Sequence, residues 1–274
     1  MTCICCGGPG PCIQSHVISK FIRRACTGVD DPITGNTRYD FIWKDEAGPR
    51  RSQDLPKPRL MCAECDGWFG KRIETRARES LMPNGFNPLD ASTYHQLDGR
   101  LDSEGVAELG GAPVTMGVYR DDGTDDDYFR QMFSVLVGWR ALHAMADSER
   151  TGVAANYLRT PTGLATHNAT LAYLLNASPN DYLVRCPTPV RLYIQARPSA
   201  GFIAGAEDRL PFATALFQTS GAAPVAIFVA FATWVIIWSL VSERSIDEPL
   251  PRFKSVRTAC FVDWHAALVR DLKE

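Results

Sequence analysis

The sequence contains no internal repeat and no low-complexity tract, which argues against a solenoid or an array fold. It is short of net charge: 29 Lys and Arg stand against 31 Asp and Glu, giving −2 at pH 7, so the chain as a whole is no general polyanion binder. Histidine is scarce, with five residues scattered along the sequence. The opening Met-Thr-Cys-Ile-Cys-Cys carries neither a basic leader nor a long apolar run. With an odd total of nine cysteines, that argues against a disulfide framework and sets the expectation of a reducing, cytoplasmic compartment with metal-bound thiolates. No small-molecule cofactor motif is evident.

What is present belongs to an ordinary globular protein: 274 residues, 45% hydrophobic and 22% charged. That length suits one large domain, or a small metal-nucleated domain with a larger body. Charge is uneven, with 13 Lys and Arg against 10 Asp and Glu in residues 1–80 and 16 against 21 in the remainder. The mild N-terminal excess is compatible with phosphate contacts there.

Four cysteines fall in two pairs of metal-ligand spacing. Cys3-Ile-Cys-Cys6 is followed by Gly7-Gly8-Pro9-Gly10-Pro11, which allows a tight knuckle turn, and Cys62-Ala-Glu-Cys65 leads into a helical pattern. One zinc ion held by Cys3, Cys6, Cys62 and Cys65 would clamp the N-terminus onto that helix; Cys5 or Cys12 could substitute in the first pair. A site closed by four thiolates is structural. Beyond Cys65, the residues Trp68, Phe69, Ile73 and Ala77 share one face and Lys71, Arg72, Arg76 and Arg78 lie elsewhere, with Asp66 where an N-cap is expected.

The remainder alternates strand and helix signals. Thr37 to Trp43, Pro113 to Tyr119 and Val190 to Gln195 suit strands, and Tyr128 to Asp147 suits a core helix headed by an acidic run that complements its dipole. His143 in that helix fits a satisfied structural histidine, His167 and His265 have no Cys, Asp or Glu spacing around them that suggests a site, and His95 falls in a polar loop without an assigned role. A second helix is expected from Pro161 to Asn176, and a last strand and helix over Val256 to Val262 and Trp264 to Leu272. The uncharged run at 225–241 is long enough to raise a membrane span. Its Val, Ile, Phe and Trp content and the turn at Thr219 to Pro224 favour buried strands. A soft boundary falls near residue 85, dividing residues 1–85 from a mixed domain at 86–274.

The order Cys-x-x-Cys-Gly, then Ser15-His16-Val17-Ile18, then Leu60-Met61-Cys-x-x-Cys-Asp66 at a helix start resembles the zinc-clamped HNH (ββα-metal) endonucleases over roughly residues 1–80. That resemblance implies an α+β protein with an N-terminal zinc-stabilised ββα unit, hydrolysing DNA with one hydrated Mg2+ or Mn2+. His16 matches the general base, and Asp66 matches the metal ligand that opens the helix. Chemistry agrees: a neutral imidazole can deprotonate water near pH 7, and a carboxylate is a hard ligand for Mg2+. Lys20, Arg23, Arg24, Lys71 and Arg72 are the expected phosphate contacts. Three positions depart from the pattern: Ser15 replaces the acid before the base, Gly70 stands where a further ligand is common, and the middle Asn is absent. Glu74, about 12 Å along the helix from Asp66, is no substitute ligand. The expected function is therefore an HNH-like endonuclease, or a nuclease effector under regulation. The alternatives are a degenerate zinc module that binds nucleic acid or protein, and a membrane-anchored chain. Residues 86–274 would recognise a partner or form a homo-oligomer.

Overall fold

The computed structural model describes residues 2–19, 21–22, 40–45, 48–52, 57–84, 86, 91–109, 112–120, 124–148, 152–176, 188, 190–195, 209–218, 224–231 and 234–240. The architecture is α+β. A short antiparallel ribbon joins β1 (Ile13–Gln14) to β4 (Arg59–Met61), with Ile13 opposite Met61. An eight-stranded sheet has the order β3-β2-β8-β9-β10-β7-β6-β5. Its strands are β2 (Asp40–Asp45), β3 (Gly48–Ser52), β5 (Leu101–Leu109), β6 (Ala112–Tyr119), β7 (Val190–Gln195), β8 (Arg209–Gln218), β9 (Pro224–Phe231) and β10 (Trp234–Ser239). All its pairings are antiparallel except β2 with β8.

The run that raised the membrane question is thus the β9–β10 hairpin, in which Trp234 faces Phe231 and Trp238 faces Ile227. Ile227, Val229 and Phe231 alternate with their neighbours, as do Trp234, Ile236 and Trp238, and all six are buried. Ala226 and Ile237, on the opposite face, are buried as well, which accounts for an apolar run without alternation. Among the described residues no helix is long and apolar enough to cross a membrane.

Helix α1 (Ala63–Phe69) passes through a π-helical stretch (Gly70–Glu74) into α2 (Thr75–Leu81). It begins three residues before Asp66. Cys62, in extended conformation, occupies the N-cap position, so Asp66 lies inside the first turn with its N–H on the Cys62 carbonyl at 3.0 Å. The N-cap expected at Asp66 is therefore corrected: a Cys-x-x-Cys pair converges on one point when its second cysteine is already helical.

Helix α3 (Asp125–Ser148) is the central element, with Asp125, Asp126 and Asp127 in its first turn where the helix dipole favours them. It crosses the sheet so closely that a Cβ on Gly138 would lie 2.9 Å from the Trp238 ring. On another side it meets α1, with Phe69 edge-on to Trp139 at 6.0 Å. Helices α4 (Val153–Arg159) and α5 (Pro161–Leu175) follow, the second capped by the Thr160 hydroxyl, which accepts from the Gly163 N–H. One buried apolar cluster runs from Cys3, Val17 and Ile18 through Phe69, Phe133 and Trp139 to Trp238. The knuckle and the sheet therefore share a core. The expected strand at Val256 to Val262 and helix at Trp264 to Leu272 lie outside the described residues.

Candidate metal centre and its arginine clasp

The N-terminal knuckle closes through backbone bonds. Gly7 donates to the Cys3 carbonyl at 2.9 Å from a left-handed φ of +67°, a conformation glycine adopts without penalty. Cys3 in turn donates to the Gly8 carbonyl at 3.2 Å, and Ile4 to the Leu60 carbonyl at 3.0 Å, which lays the knuckle beside β4. Gly8 lets the backbone run close to the Cys6 sulfur, 3.3 Å from where a Cβ would stand.

The sulfurs of Cys3, Cys6, Cys62 and Cys65 all lie within 4.8 Å of one another. A tetrahedron with Zn–S bonds of about 2.3 Å has edges of about 3.8 Å, so these residues fit one zinc-type ion with small adjustments. The Cys62 N–H points at the Cys3 sulfur from 3.3 Å, as suits a thiolate ligand. Burial alone would push the Cys3 thiol up, but backbone bonds from Cys6, Cys62 and Cys5 outweigh it and bring it down to about 6. Burial and then hydrogen bonds with the Cys62 and Cys5 thiols push Cys65 strongly the other way. A bound metal ion would deprotonate the thiols that burial holds protonated. Cys5 sits against Cys65 with its own thiol raised by burial, and Cys12 is buried nearby. Among the described residues this is the single group of three or more His, Cys, Asp or Glu placed to hold an ion.

His16 lies two residues past the end of β1 and is partly exposed. Ser15 before it is buried, with its N–H on the Pro58 carbonyl at 3.1 Å and its hydroxyl lacking a hydrogen-bond partner. Asp66 has a partner that the sequence did not suggest. Arg140 of α3, 2% exposed, sends one guanidinium nitrogen to Asp66 Oδ1 at 3.0 Å and the other to Glu74 Oε1 at 2.5 Å. A regular helix would place Glu74 about 80° around from Asp66, eight steps of about 100°. The wider π turn winds Glu74 back toward the Asp66 face, and the long guanidinium spans the rise between them. Thr75 reinforces that turn by donating its hydroxyl to the Gly70 carbonyl at 3.0 Å.

A carboxylate held by a buried guanidinium is a poor seat for Mg2+ or Mn2+, and Ser15 adds no charge to attract one. These residues do not fit a catalytic divalent ion as they stand. Arg140 could have been suspected: it continues the apolar stripe of Phe133 and Leu136, and an Arg on a core stripe demands a carboxylate. Lys71 and Arg72 are exposed on the far side of the helix. Lys20, Arg23 and Arg24 lie outside the described residues.

A second polar knot lies behind Arg140. The Trp139 indole N–H donates to His167 Nδ1 at 3.1 Å, and His143 Nε2 stands 3.1 Å from the same nitrogen. An indole can only donate, so His167 Nδ1 carries no proton, and His143 Nε2 must donate to it. His143 is driven down to about 3 by burial and then by the neighbouring imidazole, and burial lowers His167 as well. Both are neutral packing groups at pH 7, as expected for His143.

No protein-family model, curated protein or solved structure matches this chain.

Proposed function

We propose that this chain is a zinc-clamped HNH-like module that binds nucleic acid without cutting it, its catalytic metal position given over to an internal ion pair. The observation that carries this reading is Arg140, 2% exposed and 3.0 Å from Asp66. The group that would ligate a divalent cation already has its counter-charge. A hydrated Mg2+ entering there would take Asp66 from a buried guanidinium that is then left with Glu74 as its one carboxylate. The succession β1, β4, α1, with His16 just past the first strand and Asp66 in the first helical turn, supports the HNH-like part of the reading. Exposed Lys71 and Arg72 supply contacts for phosphate oxygens.

The partial exposure of His16 favours a second reading, an active metal-dependent DNA endonuclease in which substrate draws Asp66 off Arg140. Incubating plasmid with wild type, His16→Ala and Asp66→Ala in Mg2+ or Mn2+ separates the two. The binding-only reading expects retarded plasmid with no nicking in any of the three. Nicking by wild type that vanishes in His16→Ala establishes the endonuclease instead, and neither retardation nor nicking removes nucleic acid as the partner.

A further inference from the structure

Lys71, Arg72, Arg76 and Arg78 are exposed along the π-helical stretch and α2, and among the described residues none of the four makes an ion pair. Their natural partner would be Glu74, three residues after Lys71 and four before Arg78, spacings at which helical side chains meet. Glu74 is not available to them. It is turned inward onto Arg140, whose other nitrogen takes Asp66. Among the described residues, the exposed side of Gly70–Leu81 keeps Glu79 as its acid, so four cations stand against one anion there, with exposed Glu64 two turns earlier in α1, in a chain whose net charge is −2.

We propose that Arg140 sets the sign of this face: by withdrawing Asp66 and Glu74 it leaves Lys71, Arg72, Arg76 and Arg78 as a cationic ridge that takes the phosphodiester backbone of duplex nucleic acid. The inference rests on the nucleic-acid part of the reading above and is independent of catalytic silence. It adds Arg76 and Arg78 as contacts and makes Arg140 a positioning residue that never touches the ligand. Contacts of this kind are blind to base sequence and show themselves through salt.

The test is fluorescence anisotropy of a labelled 30-base-pair duplex against salt, without added Mg2+ or Mn2+. Four phosphate contacts give a slope of log affinity on log salt of about −3.6, an affinity loss of about 150-fold between 50 and 200 mM. The pairs Lys71→Ala/Arg72→Ala and Arg76→Ala/Arg78→Ala should each halve the slope to about −1.8, cutting that loss to about 12-fold, while Arg159→Ala leaves it unchanged. Arg140→Met, by releasing Glu74 to Arg78, should lower the slope by about one contact. Because the ridge side chains are exposed, the alanine pairs decide the matter even if Arg140→Met does not fold. Wild type that binds with a steep slope which neither alanine pair alters overturns the ridge and spares the function reading. Wild type that fails to bind duplex at 50 mM salt overturns both.

Discussion

Replacing Arg140 with Met removes a charge while keeping an unbranched stem of similar helix preference. The guanidinium is 2% exposed, and the Asp66 and Glu74 side chains it holds are 28% and 17% exposed. Removing one partner of a buried ion pair costs about 3–5 kcal/mol because the other charge stays buried. Here both carboxylates retain some access to water, which places the cost near the lower bound, about 3 kcal/mol. For a chain of this size, that corresponds to a fall in Tm of about 6–12 °C. The assay is thermal unfolding followed by near-ultraviolet circular dichroism, which reports on Trp139 and Trp238 packing. A double-mutant cycle completes it: Glu74→Gln should cost about 1–3 kcal/mol in the wild type and well under 1 kcal/mol beside Arg140→Met. A Tm within about 2 °C of wild type for Arg140→Met, or strictly additive costs, refutes the clasp and with it the argument that Asp66 is unavailable to a metal.

Metal analysis of the purified protein should find one zinc per chain, and Cys62→Ser should lower zinc affinity and melt earlier; unchanged affinity would break the four-cysteine grouping. Gly138→Ala gains up to about 1 kcal/mol in helix preference but drives a Cβ to 2.9 Å from Trp238, so net destabilisation of about 1–2 kcal/mol is expected in urea unfolding, and a more stable variant contradicts the packing. His143 and His167 are both lowered in the folded chain, so below about pH 6.5 the unfolded chain takes up protons first. Their contribution is complete above that pH and declines as pH falls toward about 3 for His143. Tm measured from pH 7 to 4.5 should therefore drop less steeply in His143→Gln than in wild type.

The four-cysteine group is legible in the residues because ligand spacing is a local property: two Cys-x-x-Cys pairs, a glycine-rich knuckle after the first and a helix after the second. The core helix was legible from the period of Phe129, Met132, Phe133, Leu136 and Trp139. The start of α1 is not legible, because Asp66 is a good N-cap by type while the cap position belongs to Cys62, which has no side-chain cap to give. The helix at Val153–Arg159 was missed, since a seven-residue segment carries too few apolar repeats to reveal a period. Side-chain periodicity also could not distinguish a π turn from a regular one.

The sequence alone determined that two Cys-x-x-Cys pairs bring four sulfurs of the N-terminus and a helix start together where they could hold a metal ion, and that its apolar run suits buried strands better than a membrane. Both follow from short-range patterns whose physics is complete within a few residues. Only the tertiary structure decided what Asp66 does. Its partner is 74 residues away on another helix. Glu74 reaches the same guanidinium only because the helix widens by a turn of π geometry. The charge left on the opposite face is therefore a consequence of packing that no spacing in the chain records.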